Sequence, residues 1–170
     1  MTKKHGKGPR GLIILLLVLA ISAAAAGALC LPVLRIYGSA MAPTLSEGQI
    51  LLAVKTDRPE PGDIIAFYCG SKVQVKRVVA GPGERVELEQ DGRVVVNGTA
   101  LEEPYLTRPH LGDGDVVFPC QVPEGMFFVL GDNRAGAVDS RHSAVGCVAP
   151  EQIIGKVIFR IWPLARVGRM

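Results

Sequence analysis

From residue 12 to residue 34 the chain carries no charged side chain. This run constrains the fold more than any other feature. At about 1.5 Å rise per residue it makes a helix of roughly 34 Å, enough to cross a bilayer core of about 30 Å. The alanines at 23–26 follow a leucine-rich stretch, as before an A-x-A signal cleavage site. The apolar run nevertheless continues through Ala28, Leu29, Cys30, Leu31 and Val33, too far for an ordinary secretory signal. The expectation is a cytoplasmic tail over 1–11, a retained transmembrane anchor over 12–34 and one extracytoplasmic domain over 35–170. A bulky Leu29 before Cys30 argues against lipidation of that cysteine.

Charge gives the orientation. The 170 residues hold 19 Lys and Arg against 16 Asp and Glu, a net +3. Lys3, Lys4, Lys7 and Arg10 precede the apolar run, which leaves 15 positives against 16 negatives, a net of −1, for the rest. Positive residues stay on the cytoplasmic side, so the N-terminus is expected inside and the domain outside, at the cell membrane and in contact with its lipid. No basic stripe lies on the domain, which argues against nucleic acid as a partner. The four cysteines fit no CxxC or zinc spacing. Cys30 sits at the membrane edge. Among Cys69, Cys120 and Cys147 at most one disulfide can form, Cys120–Cys147 or Cys69–Cys120; small buried apolar thiols are the other reading.

Beyond the anchor, helical periodicity gives way to short β-prone runs between Gly and Pro punctuation. Strands are expected over 50–54, 64–68, 73–79, 85–88, 93–96, 126–130 and 153–161. Asp91-Gly92 and Asn97-Gly98 mark hairpin turns. Residues 101–123, polar and rich in Gly and Pro, read as a loop excursion. The expected fold class is mostly β, an antiparallel barrel-like or sandwich-like domain of short strands behind one transmembrane helix.

Three segments carry the chemistry. The first is Leu34-Arg35-Ile36-Tyr37-Gly38-Ser39-Ala40-Met41-Ala42-Pro43-Thr44-Leu45. The second is Val75-Lys76-Arg77-Val78-Val79, with Gly81-Pro82-Gly83 after Ala80. The third runs Gly131-Asp132-Asn133-Arg134 to Asp139-Ser140-Arg141. In this order they resemble the boxes of the type I signal peptidases, G-x-S-M-x-P-T-L, K-R-V-x-G-x-P-G and G-D-N-R-x-x-S-x-D-S-R. Ala80 replaces one glycine of the second box, and Gly62-Asp63-Ile64-Ile65 matches a further box. The resemblance covers residues 12–162. It implies a β-fold serine endopeptidase of the membrane surface that removes signal peptides from exported preproteins after small residues, with no metal or organic cofactor. Its partners would be those signal peptides and membrane lipid.

The resemblance makes Lys76 the general base. A serine hydroxyl attacks only when a base takes its proton, and an ordinary lysine is protonated at neutral pH. Burial among apolar groups would disfavour the ammonium. Strand alternation sends Lys76 and Val78 to one face and Val75 and Arg77 to the other, compatible with burial of Lys76; a solvated surface lysine is the alternative.

Alignment on Met41, Pro43 and Thr44 puts Ala40 at the nucleophile position, one residue after Ser39. On an extended segment Leu34, Ile36, Gly38 and Ala40 share a face, and Ser39 points the other way. Ala137 takes the place of a family serine that orients the lysine. This copy therefore reads as unable to cleave, yet able to bind through Leu34, Ile36, Gly38, Met41 and Val75, with the Ala40 backbone N–H as an oxyanion-hole donor. Asp132, Arg134, Asp139 and Arg141 read as a charged network supporting the lysine, with Ser140 beside it. His110, His142 and Trp162 carry no matched role; Trp162 fits either a bilayer interface or a core strand. Two origins fit the alanines: an engineered inactive protease, or a natural non-cleaving chaperone or binding protein for surface-subunit assembly.

Overall fold

The structure, a computed structural model, describes Gly11, residues 13–19 and residues 31–170. Residues Met1–Leu31 and Pro32–Met170 form separate compact units. In the first, residues 13–19 are helical, with exposed side chains. Among the described residues no helix is long and apolar enough to cross a membrane. Most of the tail, residues 12 and 20–30 of the expected anchor, and Cys30 with them, lie outside the described residues. The end of the apolar run is not helical: Val33 and Leu34 belong to a strand.

The second unit is built on β1 (Val33–Arg35), β2 (Ile50–Val54), β3 (Ile64–Cys69), β4 (Lys72–Ala80), β5 (Arg85–Leu88), β6 (Val94–Val96), β7 (Thr99–Ala100), β8 (Cys120–Gln121), β9 (Phe128–Leu130), β10 (Ile153–Trp162) and β11 (Gly168–Arg169). One sheet runs β1-β2-β10-β3-β4-β9, with β11 added to β10. The other runs β7-β6-β5-β8, and every pairing is antiparallel. The expected barrel closure is absent among the described residues: β1 and β9 end an open path.

Alternation explains the packing. In β3, Ile65 and Phe67 join Val78, Phe127, Val129 and Ile153 in one core, while Ile64 joins Ile36, Met41, Leu45, Leu51 and Val157 in another. Burying such side chains is worth about 1.5–3 kcal/mol each. Gly70 and Ser71 turn β3 into β4, Gly70 taking the φ of +58° that glycine tolerates best. The turn sets the register that pairs Cys69 with Lys72 and Ile65 with Lys76.

Two free strand edges matter for function. Strand β9 pairs with β4 only at Arg77, Val78 and Ala80. Residues 72–76 of β4 thus have β3 on one side and no strand on the other among the described residues. Among the described residues strand β1 pairs only with β2.

Candidate active site

A cavity of about 690 Å³ lies along these edges. Its walls are residues 33–41 and 72–76, with Gly136 and Val138. It thus collects Ala40 and Lys76 together with Leu34, Ile36, Gly38, Met41 and Val75. Leu34 and Val75 pack on the core containing Ile36 and Met41, which makes this wall apolar and fixed.

Ala40 reaches the cavity by a route different from the expected one. Burial alternates through β1 to Tyr37, but Gly38 takes a φ of +74° and residues 39–45 form turns. The segment is not extended through Ala40. A turn, rather than strand periodicity, leaves Ala40 half-buried and Ser39 exposed. The turn is tied to the third segment, because the Asn133 N–H donates to the Ala40 carbonyl at 3.1 Å and Asn133 Nδ2 to the Ser39 carbonyl at 3.2 Å. The N–H of Ala40 makes no hydrogen bond among the described residues.

Lys76 is only 4% exposed. Burial holds its amine below the ordinary lysine range, with Arg141 acting the same way and Asp139 and Cys69 opposing. Its amine makes no hydrogen bond or ion pair among the described residues. The lining carries two hydroxyls, Tyr37 and Ser39, both on exposed residues. Ala137 is buried. A side chain on Gly131 would meet the Ala137 methyl at 2.3 Å and the Ala40 carbonyl oxygen at 2.5 Å, so the two alanine-bearing segments touch the same backbone.

The charged residues of the third segment form three pairs. Asp132 accepts from Arg77 Nε at 2.9 Å and Nη2 at 2.7 Å, and from Thr44 Oγ1 at 2.5 Å. Asp139 accepts from Arg141 Nε and Nη2 at 2.8 Å and from the Gly131 N–H at 2.9 Å. Arg134 pairs with Glu103, Nη1 to Oε2 at 3.1 Å. The sequence offers Arg77 and Thr44 only as members of their segments and does not single out Glu103; these pairings come from the fold. Ser140 does not reach the lysine: it accepts from the Val129 N–H and donates to the Gly146 carbonyl, a structural tie.

The remaining candidates lie apart. His110 and His142 do not line the cavity, and Trp162 is exposed at the end of β10. Cys69, Cys120 and Cys147 are free thiols, with Cys120 and Cys147 packed on one core. Among the described residues no group of His, Cys, Asp and Glu could hold a metal ion.

The family model for "Signal peptidase, peptidase S26" matches residues 10–162. The chain belongs to this family. A signal peptidase I of Bacillus caldolyticus is 41% identical over 145 residues, covering 75% of this chain and 78% of that one. A signal peptidase IB of Staphylococcus aureus (strain Mu50) is 35% identical over 150 residues, 76% and 77% of the two chains. A crystal structure of a signal peptidase I from Enterococcus faecalis V583 shares 33% identity, covers 58% of this chain and 96% of that one, and superposes with a TM-score of 0.47. Within the signal peptidase family, then, this chain combines a buried lysine and an apolar groove with alanine at residues 40 and 137.

Proposed function

We propose that this chain binds signal peptides of exported preproteins as a signal peptidase I does and does not cleave them. The observation that carries this reading is that Ala40 and Lys76 line one groove between two unpaired strand edges. An extended peptide can complete both edges with main-chain hydrogen bonds. The shallow apolar wall of Leu34, Ile36 and Val75 suits small side chains at alternate positions. The N–H of Ala40, without an acceptor among the described residues, supports a role as donor to a peptide carbonyl. Lys76, its proton affinity lowered chiefly by burial, suits a general base. What the groove lacks is a hydroxyl at residue 40 for that base to activate, and one at residue 137 to steady it.

The test is the double substitution Ala40→Ser with Ala137→Ser, assayed in detergent on a preprotein whose signal peptide ends in A-x-A. The unsubstituted chain is expected to leave the precursor intact, and the double variant to cleave it at that site. A folded, peptide-binding double variant without activity would overturn the reading. A natural binding protein for surface-subunit assembly would use the same groove but has no need of a desolvated amine, so Lys76 favours a peptidase framework. The apolar run and its preceding lysines support an N-terminus in the cytoplasm and the unit Pro32–Met170 outside.

A further inference from the structure

The unit Pro32–Met170 holds Cys69, Cys120 and Cys147, all free thiols, and none of them lines the groove. Cys69 packs on the core of Ile65, Phe67 and Val78, and its Sγ donates to the Ala144 carbonyl at 3.7 Å. Cys120 and Cys147 pack on a different core, that of Val79, Val86 and Phe128. The backbone brings these two together. Cys120 opens β8, where it pairs with Val86. The chain then turns, with the Met126 N–H donating to the Pro123 carbonyl at 3.1 Å. Phe127, on the returning arm, exchanges two hydrogen bonds with Val148, of 2.9 and 2.8 Å, and Cys147 immediately precedes Val148. The two thiols meet as side-chain hydrogen-bond partners.

We propose that Cys120 and Cys147 are a redox pair that closes to a disulfide by exchange with an external disulfide, and that the closed bond staples the third segment at its base. The enclosed stretch holds β9 and all of residues 131–141, so both of its ends become fixed. From Cys147 the link reaches the segment in one step. The carbonyl of Gly146, its neighbour, accepts the Ser140 hydroxyl at 2.7 Å, and Ser140 Oγ accepts the Val129 N–H at 2.9 Å. Ser140 stands between Asp139 and Arg141, the ion pair beside Lys76. From Cys120 the link reaches the second sheet through Val86. Such a bond stabilises mainly by restricting the unfolded chain, and more so for a longer loop. It holds whether or not the chain cleaves peptides.

The two thiols have different parts in the exchange. Burial pushes both up. The hydrogen bond between them favours the thiolate of Cys120 and disfavours that of Cys147. Cys120 is therefore the thiol that ionises first, and the thiolate is the attacking form. Its sulfur attacks one sulfur of the external disulfide, so that a mixed disulfide forms and one thiolate leaves. Cys147 then gives up its proton and attacks the Cys120 sulfur, closing the bond and expelling the second thiolate. The protons lost by the two cysteines end on the two leaving thiolates. The cysteines are oxidised by two electrons, and the external disulfide is reduced to two thiols.

Equilibration of the full chain in detergent with equal oxidised and reduced glutathione tests this. Free thiols are then blocked with iodoacetamide and the protein is digested with trypsin, which separates the partners by cutting after Arg134 and Arg141. Mass spectrometry is expected to find the Cys120 and Cys147 peptides linked, lighter than the reduced pair by the two thiol hydrogens, and Cys69 outside the link. The closed form should melt roughly 10 °C above the reduced form, a gap that dithiothreitol erases. Cys147→Ala should trap glutathione on Cys120, whereas Cys120→Ala should leave Cys147 much slower to take it up. Absence of the linked pair in the unsubstituted chain, or a link to Cys69 in its place, would overturn the pairing. A closed bond with no melting gap would overturn the staple. Equal glutathione uptake by the two single variants would overturn the order of attack.

Discussion

Asp132 is the residue on which the three segments converge, since its one buried carboxylate receives Arg77 from β4 and Thr44 from the turn behind Ala40. Removing one partner of a buried pair leaves the other charge uncompensated, at about 3–5 kcal/mol. Asp132→Asn is expected to lose a large part of that, measured by urea denaturation, and to weaken peptide binding by displacing Ala40. Lys76 should behave oppositely. Its folded-state pKa is lowered, so between that value and the ordinary lysine value the unfolded chain holds more protons and stability rises with pH. Lys76→Met should abolish this rise and stabilise the protein near neutrality by about 1–3 kcal/mol. Melts near pH 7 and pH 10 on both proteins check the sign. The alanine and the lysine were legible in the sequence because each sits in a contiguous box. The pairings of Arg77 and Glu103 were not, because their partners lie 55 and 31 residues away and only the fold brings them together.

Among the elements, the excursion after β7 does more than a loop was expected to do. Glu103 engages Arg134, Tyr105 stacks its ring 3.8 Å from the Arg77 guanidinium, the Leu111 carbonyl accepts from Arg141, and Asp115 binds Ser143. The excursion is a strap around the segment that faces the groove. Gly112 is its tightest point: at φ +67° its Cβ position lies 2.1 Å from Arg141 Nη1 and 2.4 Å from the Arg134 carbonyl oxygen. Gly112→Ala should therefore loosen the strap and lower stability by about 1–3 kcal/mol, read by denaturation. Beside the strap, burial first, and then the neighbouring Cys120, push the Cys147 thiol up to about 11. Alkylation of Cys147 followed by mass spectrometry should be slow near neutral pH and speed up as pH approaches that value. The long strands were legible from hydrophobic runs, with β2 and β5 matching residue for residue. Strands β1, β7, β8 and β11, two or three residues each, carry too little pattern to stand out, and β8 takes its partner β5 from far upstream in the sequence.

At the scale of the molecule, the sequence correctly indicated a mostly antiparallel β unit, but closure depends on how far the strands coil, which no local pattern encodes. If the apolar run anchors the chain, the protein should stay with membranes through an alkaline carbonate wash. Protease added outside intact cells should then degrade the unit Pro32–Met170 and spare the tail. The groove itself depends on counting. Residues 76 and 77 are neighbours, one an amine able to give up its proton and the other a guanidinium that never does. Which of them looks into the peptide channel is decided by the parity of β4, and that parity is established at the Gly70-Ser71 corner, five to seven residues upstream. One extra residue at that corner would exchange the two cations, plugging the channel with a permanent charge and stranding Asp132 without its partner. The corner acts as the strand's reading frame, and a frameshift there would silence the site with every residue of the three boxes still in place.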